Sequence, residues 1–294
     1  MSKERLVCID SDGCAFDTME IKHKECFCPS LIQMWGLQPI SKYAREAWEF
    51  ANLYSTDRGR SRFIDLVKVF DLLEDRAEVQ AYHFKLPDIQ ALRLWVATAP
   101  ELTNPALAKS DDPVLQRTLM WSLDCNRRVA EMVHGVPPFP GVREALEVLS
   151  KVADIIVVSA TAREALEREW AEHDLMKYIH RLCGQEDGSK KQCIASVKGD
   201  YPAGNVLAIG DAPGDREAAR SNGVLFYPIR PGQEIASWQE FLETDMQSFL
   251  AGKYTREREQ NRVDCFMDCL PFTPPWKREI SGDPLQLVQH SSRR

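Results

Sequence analysis

Acidic residues stand at two places in this chain where an apolar run ends. In LVCIDSDGCAFDTM, residues 6–19, the run Leu6-Val7-Cys8-Ile9 gives way to Asp10 and Asp12, then to a glycine. In VLAIGDAPGDREAAR, Asp211 follows a second run, and Asp215 falls where a helix is expected to begin. Side chains alternate along a strand, so Asp10 and Asp12 point the same way if extended geometry continues past Ile9. Two carboxylates that close repel, so one holds a proton or a cation stands beside them. The pair suits a nucleophile next to a general acid, with Mg²⁺ to offset the charge. Taken singly, DSDG reads as a turn and Asp215 as a helix cap. Gathered at one sheet edge, Asp10, Asp12, Asp211 and Asp215 read as an oxygen-ligand site for a hard cation.

Two further stretches bear on the same chemistry. ADIIVVSATA ends in Ser159, a hydroxyl followed at Ala160 by backbone N–H groups at a helix start, which suits an oxyanion or phosphate cradle. In GQEDGSKKQCIASV, Lys190 and Lys191 follow a glycine turn and open a helix, where an ammonium can balance a transferring phosphoryl group. Each also has a plain structural reading, an N-cap and a solvated lysine pair.

The elements that must position these residues follow from pattern. Leu6–Ile9, Ile155–Val158, Val206–Ile209 and Val224–Tyr227 are short, largely β-branched runs, with a weaker one at Ile179–Cys183. Helical patterns at Val142–Val152 and Thr161–His173 separate them, so the expectation is an α/β fold with a Rossmann-like parallel sheet. Ligands then bind beyond the carboxyl ends of the strands. Residues 18–136 hold no comparable strand run and read as an inserted all-helical domain. Leu66, Val69, Phe70 and Leu73 form one amphipathic face there. Trp35, Trp48, Trp95 and Trp121 fall in helical patterns and are expected in its core. The expected division is 1–17 with 137–230 as core, 18–136 as insert, and 231–294 as a helical tail. Within that tail WKREISGDPL reads as a surface segment and SGDPLQLVQHSSRR as a fraying end.

Bulk properties narrow the classes. The 294 residues are 44% hydrophobic and 28% charged, with a formal net charge of -7, which argues against a nucleic-acid partner. No run approaches the roughly 20 apolar residues of a membrane span, and MSKERLVCID is a poor signal peptide. Nine cysteines at irregular spacing fit reduced thiols. The expectation is a cytoplasmic protein with no membrane partner; the sequence fixes no oligomeric state.

Together and in this order, the four stretches resemble the motifs of the haloacid dehalogenase superfamily of phosphohydrolases. DSDGCAFDT is similar to its first motif, with Cys14 where threonine or valine is more usual; Ser159, Lys190 and GDAPGD are similar to the second, third and fourth. The resemblance covers about residues 5–17 and 138–228. It implies Asp10 as nucleophile, forming an aspartyl-phosphate, and Asp12 as the acid and base that serves the leaving oxygen and the water. It implies Mg²⁺ held by Asp10, the backbone carbonyl of Asp12 and Asp211, with Asp215 either on the ion or directly behind its ligands. Ser159, Ala160 and Lys190 would bind the phosphoryl oxygens. Lys190 is preferred to Lys191 because Ile194 stands four positions after it. The insert would be a cap, with Arg58, Arg60 and Arg62 of STDRGRSRF candidates to meet an anionic substrate. An acid at Asp12 is similar to the phosphatases and phosphomutases. The function so implied is a phosphatase acting on a small phosphorylated metabolite. The alternatives are a phosphomutase and a non-catalytic phosphate-binding or regulatory protein of the same fold.

Overall fold

The structure, a computed structural model, describes residues 3–277. The β-branched runs form five parallel strands: β1 (Arg5–Ile9), β2 (Ala153–Val158), β3 (Arg181–Cys183), β4 (Val206–Gly210) and β5 (Leu225–Pro228). Their order is β3-β2-β1-β4-β5. Apolar residues continue through both faces because both are covered, as a parallel sheet requires. Val7, Ile9, Ile155, Val157, Leu207 and Ile209 face one layer with Trp170 and Trp238. Leu6, Cys8, Ile156, Val206 and Phe226 face the other with Ile194 and Val263.

Register sets the site. Ile9 lies level with Val157 of β2 on one side and Ile209 of β4 on the other. The chain reverses its order around β1, the switch point where such sheets bind ligands. Residues just past these three strand ends therefore meet, and the Asp10 N–H carries the ladder one step further to the Ile209 carbonyl at 3.0 Å.

Between β1 and β2 the chain is helical: α1 (Thr18–Ile21), a wider π-wound stretch (Lys22–Phe27), α2 (Cys28–Met34), α3 (Ser41–Asn52), α4 (Arg62–Glu74), α5 (Ala77–Ala81), α6 (Gln90–Thr98), α7 (Asn104–Leu107) and α8 (Pro113–Met132). These helices bury a core of their own. Leu66, Val69, Phe70 and Leu73 share it with Trp35, Trp48 and Trp121, while Trp95 is partly buried against it. We call this layer the cap. The sheet is completed by α9 (Val142–Leu149), α10 (Arg163–Glu172), α11 (Lys190–Val197) and α12 (Pro213–Ser221). After β5 come α13 (Glu234–Glu240), α14 (Met246–Leu250) and α15 (Arg256–Asp268). Helices α13–α15 are thus part of the core layers, with Trp238 and Phe249 on one face and Val263 on the other. The stretch SGDPLQLVQHSSRR lies outside the described residues. Among the described residues no helix is long and apolar enough to cross a membrane.

Candidate active site

Asp10, Asp211 and Asp215 come together at the carboxyl edge of the sheet, each buried, with one oxygen from each lying within 4.8 Å of the others. Local structure explains each placement. Asp215 sits in the first turn of α12, where its Oδ2 accepts the Ala212 N–H at 3.0 Å. Asp211 directly follows β4. Asp10 accepts the Ser11 N–H at 2.8 Å, and the turn beyond it needs Gly13 at φ +75°. A Cβ there would lie 2.5 Å from both Arg58 Nη2 and Asp211 Oδ2.

Two cations serve the three carboxylates. Lys190 Nζ lies 2.7 Å from Asp10 Oδ2 and 2.6 Å from Asp215 Oδ1. Arg58, carried by the cap, places Nε 2.8 Å and Nη2 2.6 Å from Asp211 Oδ2. The other oxygen of Asp211, Oδ1, is buried without a hydrogen-bond partner. Burial pushes the Asp10 carboxyl well above the usual range; Lys190 pulls it down, and Asp215 and Asp211 push it up. Asp211 is also raised, by burial first, against the pull of Arg58. Burial disfavours the Lys190 ammonium, but Asp10 and Asp215 outweigh it and raise its pKa. A buried all-oxygen cluster with an unpartnered carboxylate oxygen fits a hard divalent cation.

The Asp12 side chain is turned to a different set of partners. Its oxygens accept hydrogen bonds from Thr18, from Lys22 Nζ at 2.5 Å and from Thr161 Oγ1 at 2.6 Å. Lys22 also pairs with Glu169 Oε1 of α10 at 3.0 Å. Burial disfavours the Asp12 carboxylate, yet Lys22 and the two hydroxyls prevail and bring its pKa down to about 2. Glu169, with the same lysine but no hydroxyl donors, is raised by burial and by Asp12.

Ser159 is buried, its N–H bonded to the Cys183 carbonyl and its Oγ accepting the Thr161 N–H at 3.2 Å; Ala160 beside it is exposed. Lys190 opens α11 behind Ser189, whose Oγ accepts the Gln192 N–H while Gln192 Oε1 accepts the Ser189 N–H at 2.8 Å. That reciprocal cap fixes the helix start and aims the first residue, Lys190, at the acids, while Lys191 is exposed. Of the three arginines, only Arg58 meets the cluster. Arg60 is half-exposed and pairs with Asp57 at 2.6 Å. Arg62 donates to Asn126 at 2.7 Å and to Ser122, and its guanidinium lies 4.6 Å from the Phe27 ring. Cap and core touch closely here, for a Cβ on Gly59 would lie 2.5 Å from Ala212 Cβ. Beside Arg58 is a cavity of about 290 Å³ lined by Asp17, Glu20, Tyr54 and Glu234 among others.

No protein-family model matches this sequence, and no curated protein does. Solved structures do. A haloacid dehalogenase-like family hydrolase from Streptococcus pneumoniae aligns at TM-score 0.44 with 13% identity, over 80% of this chain and 90% of that one. A subfamily IA hydrolase from Geobacter sulfurreducens aligns at 0.40 with 18% identity, over 76% and 86%. A haloacid dehalogenase-like hydrolase from Bacteroides fragilis aligns at 0.50 with 14% identity, over 80% and 93%. This chain has the haloacid dehalogenase-like fold.

Four residues around Asp12 in this haloacid dehalogenase-like fold escape the sequence: Thr18, Lys22, Thr161 and Glu169. One signal was available. Thr18 and Lys22 are four residues apart, hence on one face of the helix that opens the cap.

Proposed function

We propose that this chain is a Mg²⁺-dependent phosphatase that hydrolyses a small phosphorylated metabolite through an aspartyl-phosphate on Asp10. The observation that carries the reading is the division of labour between the two acids. Asp10 stands among Asp211, Asp215 and Lys190, whereas Asp12 is held apart by Lys22, Thr18 and Thr161. Asp10, Asp211 and Asp215, with the Asp12 carbonyl, would hold the cation, which would supply positive charge to keep Asp10 ionised and to offset the incoming phosphate. An Asp10 carboxylate oxygen attacks phosphorus and the bond to the leaving oxygen breaks, while Asp12, a carboxylate in the free site that takes up a proton as the phosphate dianion arrives beside it, delivers that proton to the leaving oxygen. Asp12, now a carboxylate, takes a proton from the water that hydrolyses the aspartyl-phosphate, so its protonation closes over the cycle. Its three donors favour that carboxylate and keep it aimed. Lys190 neutralises oxygens of the phosphoryl group, and Ser159 with the Ala160 N–H completes the cradle. Arg58 is the cap residue best placed for the substrate, and the cavity beside it suits a small leaving group.

The test is a phosphate-release screen over many phosphorylated metabolites, with and without Mg²⁺, comparing wild type with Asp10→Asn. Metal-dependent release that disappears in the variant is expected. Activity that survives Asp10→Asn would overturn the mechanism, and isomerised product without free phosphate would replace the phosphatase with a mutase.

A further inference from the structure

After packing on the core, the end of the described chain crosses to the cap. α15 belongs to the core: the Phe266 ring lies 6.4 Å from that of Phe226, and Arg262 Nη2 is 2.8 Å from Asp245 Oδ2. Leu270 is still buried. By Trp276 the neighbours are cap residues. The indole lies 4.3 Å from the Arg76 guanidinium and 5.7 Å from the Phe50 ring, and Arg76 also stands 4.6 Å over Tyr43. Lys277 Nζ pairs with Asp75 Oδ2 at 2.7 Å, and Lys68 of α4 lies 5.8 Å over the Phe272 ring.

We propose that residues 271–277 are a strap, a third tie between core and cap, which limits how far the cap lifts from the acid cluster. Three observations combine. First, the covalent connections near Asp17 and Pro137 are two, and a layer held by two linkers can swing as a hinged body. The strap grips it elsewhere, on α3, the end of α4 and Arg76. Second, α3 and α4 bracket the loop that carries Arg58 and Gly59 to Asp211 and Ala212, so holding those helices holds that loop. Third, PFTPPWK contains Pro271, Pro274 and Pro275, which stiffen the crossing and leave it little slack. Trp276 is the principal anchor. Arg76 is 4% exposed, and a cation–π contact gains strength as it loses water, whereas Lys277–Asp75 is exposed and contributes little.

Hydrogen exchange read by mass spectrometry on the full chain tests this with two variants. Trp276→Ala removes the anchor. A Gly-Ser insert of about six residues between Phe272 and Thr273 keeps the anchor but slackens the tie. In both, amides of residues 13–18 and 53–61 are expected to exchange about fivefold faster or more, with the interiors of α3 and α4 unchanged. An insert variant that exchanges as wild type does would overturn the strap. So would acceleration confined to the interiors of α3 and α4, which marks a packing defect in the cap. The insert alone decides the question if Trp276→Ala fails to fold.

Discussion

Replacing Lys22 by methionine takes away the ammonium that two buried carboxylates share. Side-chain exposure is 6% for Lys22, 15% for Asp12 and 5% for Glu169, so solvent cannot compensate. Asp12 has its pKa lowered from 3.8 to about 2. That difference corresponds to about 2 kcal/mol of stability, by order of magnitude. Because the folded value is the depressed one, this stability is present above pH 3.8 and is lost as the pH falls toward about 2. Without Lys22 burial dominates, so Asp12 rises above its ordinary value and Glu169, already raised, rises further. Removing one partner of a buried pair costs about 3–5 kcal/mol, and we expect about 3 kcal/mol at neutral pH. The deficit should shrink in mild acid as both carboxyls take up protons. Urea unfolding across pH measures it, and Glu169→Gln in the Lys22→Met background should recover part. The acid limb of phosphate release should move upward in pH with Lys22→Met. A variant with unchanged urea midpoint and unchanged acid limb would refute the assignment of Lys22 as the residue that holds Asp12.

Other perturbations separate neighbours in sequence. Lys190→Met should lower phosphate release about 10²-fold or more, as loss of a charge stabiliser does, while Lys191→Met leaves the rate near wild type in the same assay. Arg58→Ala should cost about 3 kcal/mol in urea unfolding, because Asp211 loses a buried partner. Arg60→Ala, half-exposed, should stay within about 0.5 kcal/mol. Gly13→Ala should destabilise by about 1–3 kcal/mol and abolish release, since its φ is +75° and the new methyl would meet Arg58 and Asp211.

Much of the fold was legible because its signals are local. Leu6–Ile9 and Val206–Ile209 read as buried strands from composition alone, and Asp10 and Asp211, directly after them, needed only a parallel sheet to meet; Asp12 was expected with them but is turned to Lys22 and Thr161. α15 falls in the stretch read as a helical tail, but its packing on the sheet was not legible because REREQNRVDCFMD is mostly polar; among its residues only Val263 and Phe266 are buried. Lys22 was missed for a related reason. A lysine reads as surface, and what buries it is Glu169, which pattern cannot connect to it. Of WKREISGDPL, read as a surface segment, only Trp276 and Lys277 are among the described residues; the partly buried Trp276 ring packs on Arg76 and Phe50, residues made adjacent only by the completed fold.

The central strand has a consequence for how the chain is made. β1 pairs with β2 at Arg5↔Ala153 and with β4 at Leu6↔Val206, so both of its neighbours are translated long after it. At about 5–20 residues per second, the ribosome needs roughly 10–40 s between β1 and β4. The cap, whose contacts lie largely within its own sequence, can condense in that interval. Leu6-Val7-Cys8-Ile9 meanwhile stays unpaired until β2 emerges and keeps one open edge, exposed to wrong partners, until β4 follows. Asp10 is therefore synthesised well before the residues that surround it and, through its strand, is among the last of the site to find its place.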